Sequence, residues 1–190
     1  MQKFTLENYI SDLRALFSDE MLESWNLALE RLNKAWSENI EIYVAGNGGN
    51  HLNSLHFATD WNKGIQILTG KPLKTHVYGE NPGLASAIEN DHPHGDSIVK
   101  YFEYIGKTSR VFVLLTAGGT SKNIINAAEY AQKNNIETIG LTGGAQNLSR
   151  SQFDINLHVP TNDIQHVEDI HAMFGHTVLK SITQYSASLT

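Results

Sequence analysis

The chain has no cysteine among its 190 residues and only four prolines. Without thiols there is no disulfide framework and no thiolate metal site, which fits a reducing compartment. Long apolar runs are missing too. No segment approaches eighteen consecutive apolar residues, so no membrane partner is expected. The first seventeen residues (MQKFTLENYISDLRALF) are amphipathic and broken by charge, unlike a signal peptide, so a cytoplasmic location is expected. Basic side chains are outnumbered, 14 against 20 acidic ones, for a formal net charge of -6. A general nucleic-acid binder needs a basic face to displace counterions, so no nucleic-acid partner is expected. An anionic small molecule stays open, because a phosphate can rest on backbone N–H groups without any lysine.

What is present fits one α/β domain over residues 1–190. The chain is 41% hydrophobic and 18% charged, enough for a buried core, and no repeat or linker divides it. Tyr9, Leu13, Leu16 and Phe17 fall at helical spacing, and so do Leu22, Trp25, Leu29, Leu32 and Trp36. These two N-terminal helices, within about residues 1–37, are expected to contribute to oligomer packing. Short apolar runs at 40–45, 73–78, 110–116, 136–142 and 154–159 read as strands. Helical segments at 51–62, 83–89, 97–105, 121–134 and 165–188 separate or follow them. Such alternation means βαβ units and a parallel sheet, and right-handed crossovers then give a three-layer, doubly wound α/β/α sandwich.

Three of the strands end in glycine-rich turns, and ligands of open α/β sheets bind at that edge. Thr116-Ala117-Gly118-Gly119-Thr120-Ser121 joins a strand to a helix. Its glycines allow close backbone approach, the helix start offers unpaired N–H groups, and Thr116, Thr120 and Ser121 add hydroxyls. The plain alternative is a tight turn with Thr120 or Ser121 as N-cap. Gly46-Asn47-Gly48-Gly49-Asn50 has the same context. Neither is a P-loop or a dinucleotide fingerprint, whose spacings are absent.

His56 and Asp60 are four apart and share a helix face. Glu168 and His176 are eight apart on the last helix, about 80° from alignment, so both can border one cleft. Two imidazoles and two carboxylates can chelate a divalent metal, zinc by ligand type, or act as acid and base without one. Each pair alone also occurs by chance on ordinary helices. His171 lies on the same helix, turned away from His176.

Taken together these segments resemble the phosphoheptose isomerases and their SIS-domain relatives. Asn47-Gly48-Gly49 followed by His56-Phe57-Ala58-Thr59-Asp60 is similar to the family's GNGGS…HFAxE segment. Asn90-Asp91 looks like its ND turn, residues 116–121 sit where it carries a serine/threonine-rich loop, and Val167-Glu168-Asp169-Ile170-His171 looks like a VEDxH helix. The resemblance implies a five-stranded, flavodoxin-like parallel sheet and a homotetramer with shared sites. It also implies ketose–aldose isomerisation of a seven-carbon sugar phosphate, often with bound zinc. Carried over, the metal positions are His56, Asp60, Glu168 and His176, and the catalytic ones Asp60, His176 and Glu168. The substrate-binding positions are Asn47, Gly48, Gly49, Asn50, Asn90, Asp91, Thr116, Ala117, Gly118, Gly119, Thr120 and Ser121.

Five positions depart from the family pattern. Asn50 stands for a serine, and Ala117 and Gly118 stand where hydroxyls are common. Asp60 replaces a glutamate and Glu168 a glutamine. Each missing hydroxyl removes a charge-assisted hydrogen bond worth roughly 1.5–3 kcal/mol, whereas the two carboxylates favour a bound cation. A non-catalytic SIS module that binds a sugar phosphate or a protein partner, such as a replication initiator, is the alternative reading.

Overall fold

The central strands read as near-continuous apolar runs, IYVAG at 42–46 and VFVLL at 111–115, as in a sheet covered on both faces. In the computed structural model, which describes residues 4–106, 111–146 and 150–189, the strands are β1 (Ile42–Gly46), β2 (Thr75–Val77), β3 (Val111–Thr116), β4 (Glu137–Gly143) and β5 (Ile155–Val159). They form one sheet in the order β2-β1-β3-β4-β5, and every pairing is parallel. The five-stranded, doubly wound α/β/α architecture expected from the sequence is therefore present. The strand order reverses between β1 and β3, which makes the crevice at their carboxyl ends the natural ligand position.

Alternate side chains feed two cores. Ile42 and Val44 of β1, with Val111, Val113 and Leu115 of β3, face the layer made by α2 (Asp19–Ser37), α3 (Gly49–Thr59), α4 (Ile65–Thr69) and α8 (Ile164–Ser188). Tyr43, Ala45, Phe112 and Leu114 face α5 (Pro82–Asp91), α6 (Ser97–Ile105) and α7 (Lys122–Lys133). α2 buries Met21, Trp25, Ala28, Leu32, Ala35 and Trp36. It is tied to α8 by Trp25 Nε1–H donating to Thr177 Oγ1 (2.9 Å) and Asn33 Nδ2–H to Ser181 Oγ (2.9 Å). Leu22, read as part of that apolar face, is exposed instead. α1 (Leu6–Ala15) buries no residue, and its Tyr9 hydroxyl donates to Asp169 Oδ2 at 2.6 Å.

Helical structure continues past the expected end at residue 62. A π-turn over Asp60–Gly64 follows α3, with Ile65 N–H donating to Asp60 O, and α4 carries the chain on to Thr69. Burial of Trp61 and Ile65 holds this stretch against the sheet layer. The expected strand residue Arg110 lies outside the described residues. No helix is long and apolar enough to cross a membrane among the described residues.

Candidate functional site

α3 and α8 run side by side in the same direction, and small residues let them touch. A Cβ on Gly175 would overlap the Phe57 ring, and one on Gly64 would crowd Leu179. Trp61 Nε1–H donates to Gly175 O (3.0 Å), and Asn53 Nδ2–H donates to Glu168 O (3.0 Å).

This close approach brings together three of the expected residues. His56 Nε2 lies 2.8 Å from His176 Nε2. Asp60 Oδ2 lies 3.6 Å from His56 Nε2 and 4.0 Å from His176 Nε2. One donor atom from each falls within 4.8 Å of the others. Asp60 begins the π-turn, and such turns often mark functional positions. The donor chemistry fits a divalent ion: two neutral imidazole nitrogens and a carboxylate are three ligands, leaving a fourth tetrahedral position open, as catalytic zinc requires. Both imidazoles are exposed and the carboxylate is partly covered.

The fourth expected ligand is not in the group. Glu168 lies one helix end away, its carboxylate over the backbone of Gly49, where a Cβ would overlap it. Eight residues of α8 span ~12 Å along the axis, so two residues that can border one side of the helix still differ in height. Within one chain, three of the four residues expected as ligands group together, and the Glu168 carboxylate lies at the start of α3.

The glycine turns form the rim above. Gly48 has φ +55 and Gly119 φ +69, conformations that side chains other than glycine's resist. Asn47 and Asn123 exchange amide hydrogen bonds, Asn47 Nδ2–H to Asn123 Oδ1 (2.9 Å) and Asn123 Nδ2–H to Asn47 Oδ1 (3.0 Å), clasping the two turns across the switch point. Asn123 was not among the expected residues, and its place in the first turn of α7, after the glycine turn, is the signal that could have found it. Gly119 N–H donates to Thr116 Oγ1 (3.2 Å), so that donor is already occupied. Ser121 holds the N-cap position of α7 without a side-chain cap bond, and its Oγ lies 3.2 Å from Thr116 Oγ1. Gly118 and Thr120 are exposed and Ala117 is half-buried. Gly118, Gly144, Ala145, Gln146 and Asn162 line a shallow cleft beside this turn. Gly143 allows that approach, because a Cβ there would overlap Ala117 O.

Two further expectations change. Asn50 is 2% exposed, and its Oδ1 accepts from His171 Nδ1–H (2.7 Å), so the side chain points into the protein and away from the rim. Asn90 and Asp91 are not in a turn. They occupy the exposed last turn of α5, where Asn90 Nδ2–H donates to Asp91 Oδ1 (2.8 Å). His51, in the first turn of α3, faces Gly79, and burial pushes its pKa down.

Comparison with known proteins gives a consistent result. The family model described as the SIS domain matches residues 7–143. A phosphoheptose isomerase of Aliarcobacter butzleri (strain RM4018) is 30% identical over 175 residues, covering 86% of this chain and 88% of that protein. The structure of phosphoheptose isomerase GmhA from Neisseria gonorrhoeae superposes with a TM-score of 0.79 at 21% identity, covering 93% of this chain and 96% of that one. That of a phosphoheptose isomerase from Francisella tularensis also gives 0.79, at 20% identity, covering 96% and 100%. At these identities the two structures speak for the fold.

Proposed function

The chain belongs to the SIS-domain family, and we propose that it is a sugar-phosphate isomerase interconverting sedoheptulose 7-phosphate and an aldoheptose 7-phosphate. The observation that carries this reading is the meeting of His56, Asp60 and His176 across α3 and α8, with donor atoms within 4.8 Å.

Ketose–aldose isomerisation moves a proton from C1 to C2 through an enediol. A base removes the C1 proton, the carbonyl oxygen gains a proton, and the O1 proton leaves as C1 becomes the aldehyde carbon. Without a metal, Asp60 and His176 are assigned as the acid–base pair. Glu168, outside the three-donor group and above Gly49, is the carboxylate left free when a metal engages Asp60. A zinc ion held by His56, Asp60 and His176 would supply Lewis-acid stabilisation to the developing oxyanion. The phosphate is assigned to the 116–121 turn, where Thr120 and Ser121 supply hydroxyls and the start of α7 supplies a positive dipole end. Binding the unreactive end there positions the reacting carbons.

The same reading includes a homo-oligomer, a tetramer, in the cytoplasm. Its support is local: Leu52 and Met173 are 66% and 40% exposed on the helix faces that carry His56 and His176. A second copy covering them would exclude water from the donor group.

The test is direct assay of aldoheptose phosphate formation from sedoheptulose 7-phosphate by the wild type, Asp60→Ala and His176→Ala. Turnover in the wild type, with a drop of at least ~100-fold in both folded variants, supports the assignment. A melting shift with the sugar phosphate but no product from the wild type would make the chain a binding module.

A further inference from the structure

Among the contacts that join α3 to α8, two pair polar side chains across the helices. The outer one is His56 with His176, at the surface. The inner one is Asn50 with His171, 2% and 1% exposed, bonded at 2.7 Å. Asn50 precedes His56 by six residues, and His171 precedes His176 by five. The two contacts are therefore spaced by ~9 Å along α3 and ~8 Å along α8, close enough in register that one fixes the other.

Nothing in the isomerisation chemistry uses the inner contact, which solvent does not reach. Burial, opposed by the Thr142 backbone and reinforced by His158, pushes the His171 pKa down to about 3, so its ring is neutral near pH 7. A neutral imidazole has one N–H, and at Nδ1 it is committed to Asn50 Oδ1. A buried polar pair tolerates little sliding, because breaking its bond leaves two desolvated groups without compensation. An apolar pair of the same size would resist rotation or translation of α8 far less.

We infer that Asn50 and His171 are a positioning pair, setting the rotation and height of α8 on α3 at which His176 faces His56 and Asp60. The inference rests on the metal-assisted reading above and deepens it. It also gives Asn50 a role in place of the substrate contact expected from the sequence.

The test uses the full chain stripped of metal, with Zn2+ alone as probe and affinity read by competition with a chromogenic chelator. His171→Leu keeps bulk and removes the donor, whereas His171→Asn places an amide N–H near the position of Nδ1. His171→Leu is expected to weaken Zn2+ binding by roughly tenfold or more, the scale of loss for groups that orient ligands, and His171→Asn to recover most of it. Ile182→Ala, buried farther along α8, controls for lost stability and should bind Zn2+ as the wild type does. Equal Zn2+ affinity in His171→Leu and wild type overturns the inference. Should the wild type bind Zn2+ no better than a His56→Ala/His176→Ala double variant, the metal reading fails instead. The pair is then judged by crystal structures: an opened His56–His176 contact in His171→Leu upholds it, and an unchanged 2.8 Å contact overturns it. Where His171→Leu does not fold, Asn50→Ala takes its place with the same outcomes.

Discussion

Trp61 and Gly175 are joined in a way that couples the core to the donor group. The indole N–H of Trp61 donates to the carbonyl of Gly175 at 3.0 Å. Trp61 follows Asp60 in sequence and Gly175 precedes His176, so this bond links the backbones that carry two of the three donor side chains. Phe57, stacked on Trp61 with ring centroids 5.1 Å apart, covers the α carbon of Gly175.

Gly175→Ala should therefore push α8 away from α3. Overpacking of this kind costs about 1–3 kcal/mol, and the melting temperature should fall accordingly. Isomerase turnover should fall further than in a control such as Ile182→Val, which loses stability elsewhere on α8. A melting temperature equal to that of the wild type would show that α8 yields to a methyl group without strain.

Metal removal gives a second expectation. Dialysis against a chelator should abolish most isomerase activity, and stoichiometric Zn2+ should restore it. Ligand binding stabilises the folded state by mass action, so the apoprotein should also melt lower. In His56→Ala neither the chelator nor added Zn2+ should move the melting temperature.

Stability should depend on pH through His171. Its folded-state pKa, about 3, lies below the ordinary 6.5. The unfolded chain thus takes up a proton between those values that the folded chain refuses. The contribution is fully present above pH 6.5 and is lost as pH falls towards 3, with a limiting slope of about 1.4 kcal/mol per pH unit. His158 and His51, both pushed down by burial, act in the same direction. Urea melts at pH 7 and pH 5 should show wild type losing more stability on acidification than His171→Asn. Parallel losses would assign the acid sensitivity to other groups.

Gly143→Ala tests the rim. The added methyl group would collide with Ala117 O and Val167, displacing the turn assigned to the phosphate. KM for the sugar phosphate should rise severalfold while Zn2+ affinity stays near that of the wild type. A joint loss of both would mean that the rim and the donor group do not move independently.

Much of this was legible in the sequence, because the strands carry their own pattern. Runs such as 110–116 and 136–142 are rich in apolar residues with glycine soon after them, and each lies within a residue or two of an observed strand. The pairing of His56 and Asp60 followed from helical spacing, and family resemblance supplied the link to His176. Other features were not local. The helix expected to end at residue 62 runs on through Gly64, where Leu179 packs against the place a Cβ would take. Asn50 carries no sign of burial in its neighbours. Its partner is 121 residues away, on a helix whose register only the folded sheet sets. Spacing supplies the angle of Glu168 around α8, but its height against α3, over Gly49, depends on how the two helices pack.

The reciprocal amides of Asn47 and Asn123 have one more implication. They stitch the loop after the first strand to the helix after the third, so neither border can swing outward alone. A substrate laid across both must be met by a ready-made shelf, and any closing motion has to come from elsewhere.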